Sequence, residues 1–277
     1  MAWILLLAVA VLAFLLYFII YASVQAQIAA VQAGTATTNG PPQTEAQLRQ
    51  TLQTLQPAQL LSFGLAVVSG FGSILLIVLT ASVFGNEFNW GTLRVILALG
   101  AGRERFLAAK YVTLVLYAVV LTVVGTLAAL AGSEIVSRIA SLDTALPPDY
   151  AGDVSAAIGR TVFTFLPYIA LAAFIAVWSK SGGAGIAIGL VVYFAEGIVM
   201  GLLVQLNKDY ATIANSGLSR NVSAIGRLNA PVIGQGNAPA ANTLLDPGPA
   251  ALVLLAYTVV FVALALWRFR TRDVTAS

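Results

Sequence analysis

The chain has 277 residues, 59% of them hydrophobic and 9% charged, and carries a net charge of +3. A soluble domain holds roughly 25% charged residues, so this chain cannot cover a water-facing surface, and most of its surface must face lipid. It has no cysteine and no histidine, which excludes disulfides, thiolate chemistry, zinc–cysteine sites, haem ligation by imidazole, histidine general bases and HExxH metalloprotease sites.

Uncharged runs locate the membrane spans, because about 20 apolar residues at 1.5 Å rise cross the hydrocarbon. No charge occurs from residue 1 to 44, and the apolar part of that run, 3–22, is the first predicted span. It has no basic n-region and is longer than a signal-peptide core, so it reads as a span and not as a cleaved leader. A polar loop, 23–58, follows. Within it Leu48, Leu52 and Leu55 fall at i, i+4 and i+7, one face of a short helix over 43–56. That helix either lies in the membrane interface or packs on the loops. The second span, 59–84, starts after Pro57 and ends before Glu87, and a loop over 86–109 leads to the third span, 111–133, bracketed by Lys110 and Glu134. After a loop over 134–160, the fourth span, 161–179, lies between Arg160 and Lys180. The fifth, 183–206, contains one charge, Glu196; a loop rich in Asn, Ser, Gly and Ala, 207–249, leads to the sixth, 250–267. Nine of the ten prolines fall in loops or helix starts; Pro167 alone lies inside a span, where it predicts a kink. The runs lack period-2 alternation and are too long for strands. The expected fold is an all-α membrane protein, one transmembrane domain over 1–277 with six transmembrane helices.

Six spans put both termini on one side. If that side is the cytosol, the cytosolic segments hold eight basic residues (Arg94, Arg103, Arg105, Lys110, Lys180, Arg268, Arg270, Arg272) and three acidic ones (Glu87, Glu104, Asp273). The opposite loops hold six basic and seven acidic residues. The short, basic segments belong inside by the positive-inside rule, which favours cytosolic termini and makes 23–58, 134–160 and 207–249 extracytoplasmic.

The 86–109 loop carries the most information. Asn89 and Thr92 are N-cap candidates, Leu93, Ile96 and Leu97 make one apolar helical face, and Gly100 and Gly102 end the piece. A short amphipathic helix at the membrane surface results, followed by a basic entry to the third span. Taken as isolated charges, Arg103, Arg105 and Lys110 could simply anchor at lipid phosphates.

The sequence Glu87-x-x-x-Gly91-Thr92-Leu93-Arg94, then an apolar helix, then Arg103 and Lys110, resembles the loop of type 2 ABC transporter permeases. A second resemblance is the turn Trp178-Ser179-Lys180-Ser181-Gly182-Gly183 between spans four and five. The resemblance implies that the loop is a short cytosolic coupling helix between spans 2 and 3. By the same resemblance it would dock on an ATPase through Glu87, Gly91, Thr92, Leu93, Arg94, Ile96, Arg103 and Arg105. It further implies a bacterial or archaeal cell membrane, an exporter, a second permease copy in a homodimer or heterodimer, and two copies of a separate cytosolic ABC ATPase. One departure from the family is at the start: the sequence begins directly at Met1-Ala2-Trp3, where the family has a basic amphipathic elbow before the first span, so either the start lies upstream or the elbow is absent. No GxxxxGK[ST] motif occurs and no lysine follows a glycine, so ATP is expected to be hydrolysed on the partner and the chain itself not to be an enzyme. No cofactor, metal or nucleic acid is called for; the lipid bilayer is the other partner.

In the fifth span Gly185, Gly189, Tyr193, Gly197 and Gly201 recur every four residues, a stripe that lets a helix approach closely, either within the chain or in a dimer. Glu196 sits beside that stripe. A carboxylate in a span should face protein or a water-filled cavity, as a pathway residue or as a hydrogen-bond partner of a neighbouring element. Two other function classes stand beside the permease: a secondary or proton-coupled transporter using Glu196, and a non-transport membrane scaffold. The first would be expected to bring several buried ionisable groups and an internal repeat; one such group and no clear repeat are present.

Overall fold

A computed structural model describes residues 2–34, 44–90, 102–229 and 243–271, with the backbone alone for 87–90 and 103. Its regular structure is helical throughout the described residues: α1 (Ala2–Gln32), α2 (Glu45–Gln53), α3 (Leu65–Trp90), α4 (Arg103–Ile139), α5 (Tyr150–Ser179), α6 (Gly182–Leu206), α7 (Leu218–Gly226) and α8 (Pro247–Thr271). All but α2 and α7 belong to helices long and apolar enough to cross a membrane, six in number. The chain is a multi-pass membrane protein.

The helices outrun the spans read from the sequence. The first span reads as 3–22, but α1 continues to Gln32; the third reads as 111–133, but α4 runs from Arg103 to Ile139. The fourth, read as 161–179, begins at Tyr150, and the sixth, read as 250–267, runs from Pro247 to Thr271; the fifth differs by one residue. The loops 23–58, 134–160 and 207–249 shorten to match. Charge marks the edge of the hydrocarbon, not the end of a helix. Ala, Gln, Glu and Arg are strong helix formers and carry the helix into the polar layer. At 1.5 Å per residue α4 is about 55 Å long against about 30 Å of hydrocarbon. The 86–109 loop likewise begins with the end of α3 and closes with the first turns of α4, so its middle, 91–101, is the part outside the described residues.

α5 is the central helix: 78% of its most apolar window is buried, against 6% for α6 and 17% for α8. Its small buried residues Ala170, Ala172, Ala173 and Ala176 let neighbours approach. The helix continues through Pro167. Near the end of the bundle that carries both termini, Leu6, Leu79, Phe84, Leu107, Leu114, Val177 and Phe269 form one core. At the far end a second core joins Tyr17, Val24, Ile28, Leu48, Leu52, Leu55 and Tyr150. Large apolar residues such as Leu7, Val191, Phe194 and Val259 stay exposed, as a lipid-facing surface requires.

α2 forms as its sequence predicts. Thr44 accepts from the Gln47 amide while the Gln47 side chain accepts from the Thr44 amide, a reciprocal capping box. Its apolar face, with Leu48, Leu52 and Leu55, is buried against α1 and Tyr150, whose hydroxyl donates to the Pro57 carbonyl at 2.6 Å. That burial replaces the interface reading: the face is spent on protein and not on lipid.

Candidate functional site

At the terminal end, α3 enters the 86–109 loop and α4 leaves it. Lys110 of α4 donates to the Val83 carbonyl at 2.8 Å and lies over the rings of Phe84 and Phe106 at 4.8 and 5.0 Å. Its ammonium therefore ties both ends of the loop together while the aromatic faces replace water around the charge. Gly85 of α3 meets Gly182 of α6 backbone to backbone; a Cβ on Gly85 would overlap the Gly182 main chain. The base of the 86–109 loop and the 178–183 turn are thus one packed unit.

That turn is tight. Lys180 closes α5 with φ 57°, a left-handed conformation that costs a non-glycine residue roughly 1–2 kcal/mol. Ser181 follows at once as the N-cap of α6, accepting from the Ala184 amide at 3.3 Å. The end of α8 bridges both connections. Arg268 lies 4.8 Å over the Trp178 ring, Phe269 stacks on Phe106 at 6.4 Å, and Arg270 pairs with Glu104. Arg105, exposed, borders an open depression with Gly102, Glu104 and Arg270. Of the other residues expected to couple, Gly91, Thr92, Leu93, Arg94 and Ile96 lie outside the described residues, as do the side chains of Glu87 and Arg103.

At the far end, the segment after α6 folds back on the bundle. α7 packs against α5, α6 and α8 through Leu218, Ala224 and Ile225. Glu196, within α6, accepts the Ser219 amide at 3.0 and 3.3 Å. It therefore holds the first turn of α7, where unsatisfied N–H groups and the helix dipole favour a negative charge. Gly217 sits on this carboxylate; a Cβ there would overlap Glu196 Oε1 and approach Met200 Cγ at 2.8 Å. Arg220, 8% exposed, donates to Asn215 Oδ1 at 2.9 Å and to the Thr243 carbonyl and hydroxyl at 2.9 and 2.8 Å. Burial, then the nearby Arg227 charge, lower its pKa from the usual guanidinium value. Asn221 donates to the carbonyls of Asn215 and Gly217, Arg227 to that of Leu245, and Tyr257 of α8 to that of Ser216.

The glycine stripe divides between these ends. Gly185 faces Ala81 and Ala176, with Cβ distances of 2.9 and 3.0 Å for an added methyl, and Gly189 faces Ile77 at 2.8 Å. Both are spent on close packing inside the chain. Gly197 would meet Ser219 Cβ at 3.9 Å, and Gly201 has open space around it.

Sequence reasoning singled out Glu196 without its partner and missed Gly217, Arg220, Asn215 and the Gly85–Gly182 crossing. A signal for α7 exists: Leu218, Val222 and Ile225 repeat the i, i+4, i+7 spacing of Leu48, Leu52 and Leu55. No group of three or more acidic residues that could hold a metal occurs among the described residues.

Neither the curated proteins nor the solved structures include a match to this chain. A family model described as a protein of unknown function, DUF2705, matches residues 50–275. That stretch takes in five of the six spans, both connections at the terminal end and the whole far-end segment. The chain belongs to the DUF2705 family.

Proposed function

We propose that the chain is the membrane-spanning permease subunit of an ABC transporter in a bacterial or archaeal cell membrane, with both termini cytosolic and ATP hydrolysed by a separate partner. The observation that carries this reading is the shared base of the two terminal-end connections, the pair whose sequences resemble the cytosolic loops of type 2 permeases. A partner docked on 86–109 would push on α3, α4 and α6 together. The Gly85–Gly182 crossing has no side chain between the backbones to absorb a displacement, and packed elements transmit motion as rigid bodies. The working complex on this reading is a pair of permeases with two ATPase copies, and export is the direction that the resemblance implies. The Glu196 geometry supports this over a proton-coupled carrier, since the carboxylate already caps a helix with backbone N–H donation.

The test is affinity purification of the wild type, Leu93→Asp and Ile96→Asp from the same membranes in mild detergent. Truncating or charging a buried apolar anchor costs an interface about 2 kcal/mol or more, whereas a rim charge costs less. The wild type should retain an ATPase that both apolar-face variants lose, and Glu87→Ala and Arg94→Ala should keep it bound while uncoupling hydrolysis from transport. A wild type that brings down no nucleotide-hydrolysing partner would overturn the assignment.

A further inference from the structure

A cavity of about 270 Å³ opens at the far end between the start of α3 with the π-helical turn before it (Leu60–Gly64), α5, and the α7 segment. Its walls include Arg160, Thr161 and Thr164 of α5, Ser69 and Gly70 of α3, and Asn229. The lining holds one cation and no carboxylate.

The hydrogen-bonding capacity of the lining is uneven in an informative way. Arg160 uses one nitrogen, Nη1, to donate to the Leu228 carbonyl at 3.2 Å and to Asn229 Oδ1 at 3.0 Å. A guanidinium has donors only, so that bond fixes the Asn229 oxygen toward Arg160 and leaves its NH2 group facing elsewhere. Thr161 and Thr164 already donate to the carbonyls of Ala157 and Thr161. The remaining Arg160 N–H groups, the Asn229 NH2 and the Ser69 hydroxyl keep donor capacity that no described residue fills. Unfilled donors around a cation with no carboxylate among them fit an anion, and a guanidinium matches phosphate oxygens in pairs.

The depth of the site argues for which anion. Arg160 and Lys180 bound the uncharged part of α5, and 20 residues at 1.5 Å make about 30 Å, the thickness of the hydrocarbon. Arg160 therefore sits where hydrocarbon gives way to headgroups. Leu61, Leu65, Ala66, Val222 and Ile225 supply an apolar wall beside it. We propose that this cavity binds the phosphate head of a membrane phospholipid, with Arg160, Asn229 and Ser69 as donors and the apolar wall against the start of the acyl chains. The proposal concerns binding alone and stands whether or not the chain is a permease.

Two variants separate the site from the fold around it. Arg160→Gln removes the charge but also weakens the tether to the 228–229 turn. Gly70→Leu removes none of the groups that make those bonds and adds bulk to the cavity wall, where a Cβ meets no atom within 4 Å. The purified chain in neutral detergent is titrated with dioleoyl phosphatidic acid and, separately, with dioleoylglycerol, and bound lipid is read by native mass spectrometry. The expected result is saturable binding of the phosphatidic acid, weakened about tenfold or more in both variants, in Arg160→Gln by loss of a charge-assisted hydrogen-bond set and in Gly70→Leu by crowding of the headgroup. Dioleoylglycerol should bind no better to the wild type than to Gly70→Leu. A parallel titration adds inorganic phosphate. No displacement at millimolar phosphate supports a lipid ligand, whereas full displacement would assign the site to the free anion and overturn the lipid source. Equal phosphatidic acid binding by the wild type and a folded Gly70→Leu chain, judged by unchanged melting temperature, overturns the site itself.

Discussion

Glu196 is the residue at which burial, charge and backbone geometry meet. A carboxylate that accepts a helix-terminal N–H contributes about 1.5–3 kcal/mol when the alternative is an unsatisfied buried donor. Glu196→Ala should therefore lower the melting temperature in detergent and raise hydrogen exchange across 211–226, while Glu196→Gln, which keeps an acceptor, should retain most of the protection. Protection unchanged in Glu196→Ala would mean that the carboxylate does not hold α7. Gly217→Ala tests the same contact from the other side. The Gly217 φ of −74° tolerates alanine, so any loss comes from the methyl overlapping the Glu196 carboxylate, an overpacking cost of about 1–3 kcal/mol. The position of Glu196 in a span was legible from the sequence. Its partner was not, because Ser219 lies 23 residues away in a stretch whose neutral composition reads as loop.

Helices divide into those whose pattern announces them and those hidden by composition. α2 was legible in the Leu48, Leu52, Leu55 period, whereas its Thr44–Gln47 capping box emerged only with the structure. Thr44→Ala should cost it about 1 kcal/mol, measured as faster proteolysis within 45–53. α7 carries the same apolar period at Leu218, Val222 and Ile225, but Asn, Ser and Gly around it obscured the helix. The span ends were misread for a physical reason: charge density reports the water boundary, while Gln32 of α1 and Arg138 of α4 extend helices beyond it. The glycine stripe was legible as a close approach but not as a choice of partner. Gly189→Leu should destabilise the isolated chain by about 1–3 kcal/mol, since Ile77 occupies the space, and Gly201→Leu should be neutral there. If the outer half of the stripe meets a second copy, Gly201→Leu should instead reduce copy-to-copy crosslinking. A stability loss at Gly201 equal to that at Gly189 would contradict the division.

Across the whole molecule, the arrangement of the two ends sets the functional reading. The absence of cysteine from the chain makes single-cysteine topology readings clean. Asp209, exposed at the far end, should react as Asp209→Cys with an impermeant reagent added outside intact cells, and exposed Gly102 as Gly102→Cys should not. Asn215 is a poorer probe because it belongs to the Arg220 network. Labelling of Gly102→Cys from outside would invert the orientation and remove the cytosolic docking surface. On the proposed function, the 86–109 loop and the 178–183 turn present one surface to one ATPase. The most direct test places a photocrosslinking residue at Leu93, at Ser181 and, as a far-end control, at Asp209 in native membranes. Leu93 and Ser181 should capture the same nucleotide-binding protein and Asp209 none; the absence of a nucleotide-binding adduct from both Leu93 and Ser181 would show that the two connections form no such docking surface.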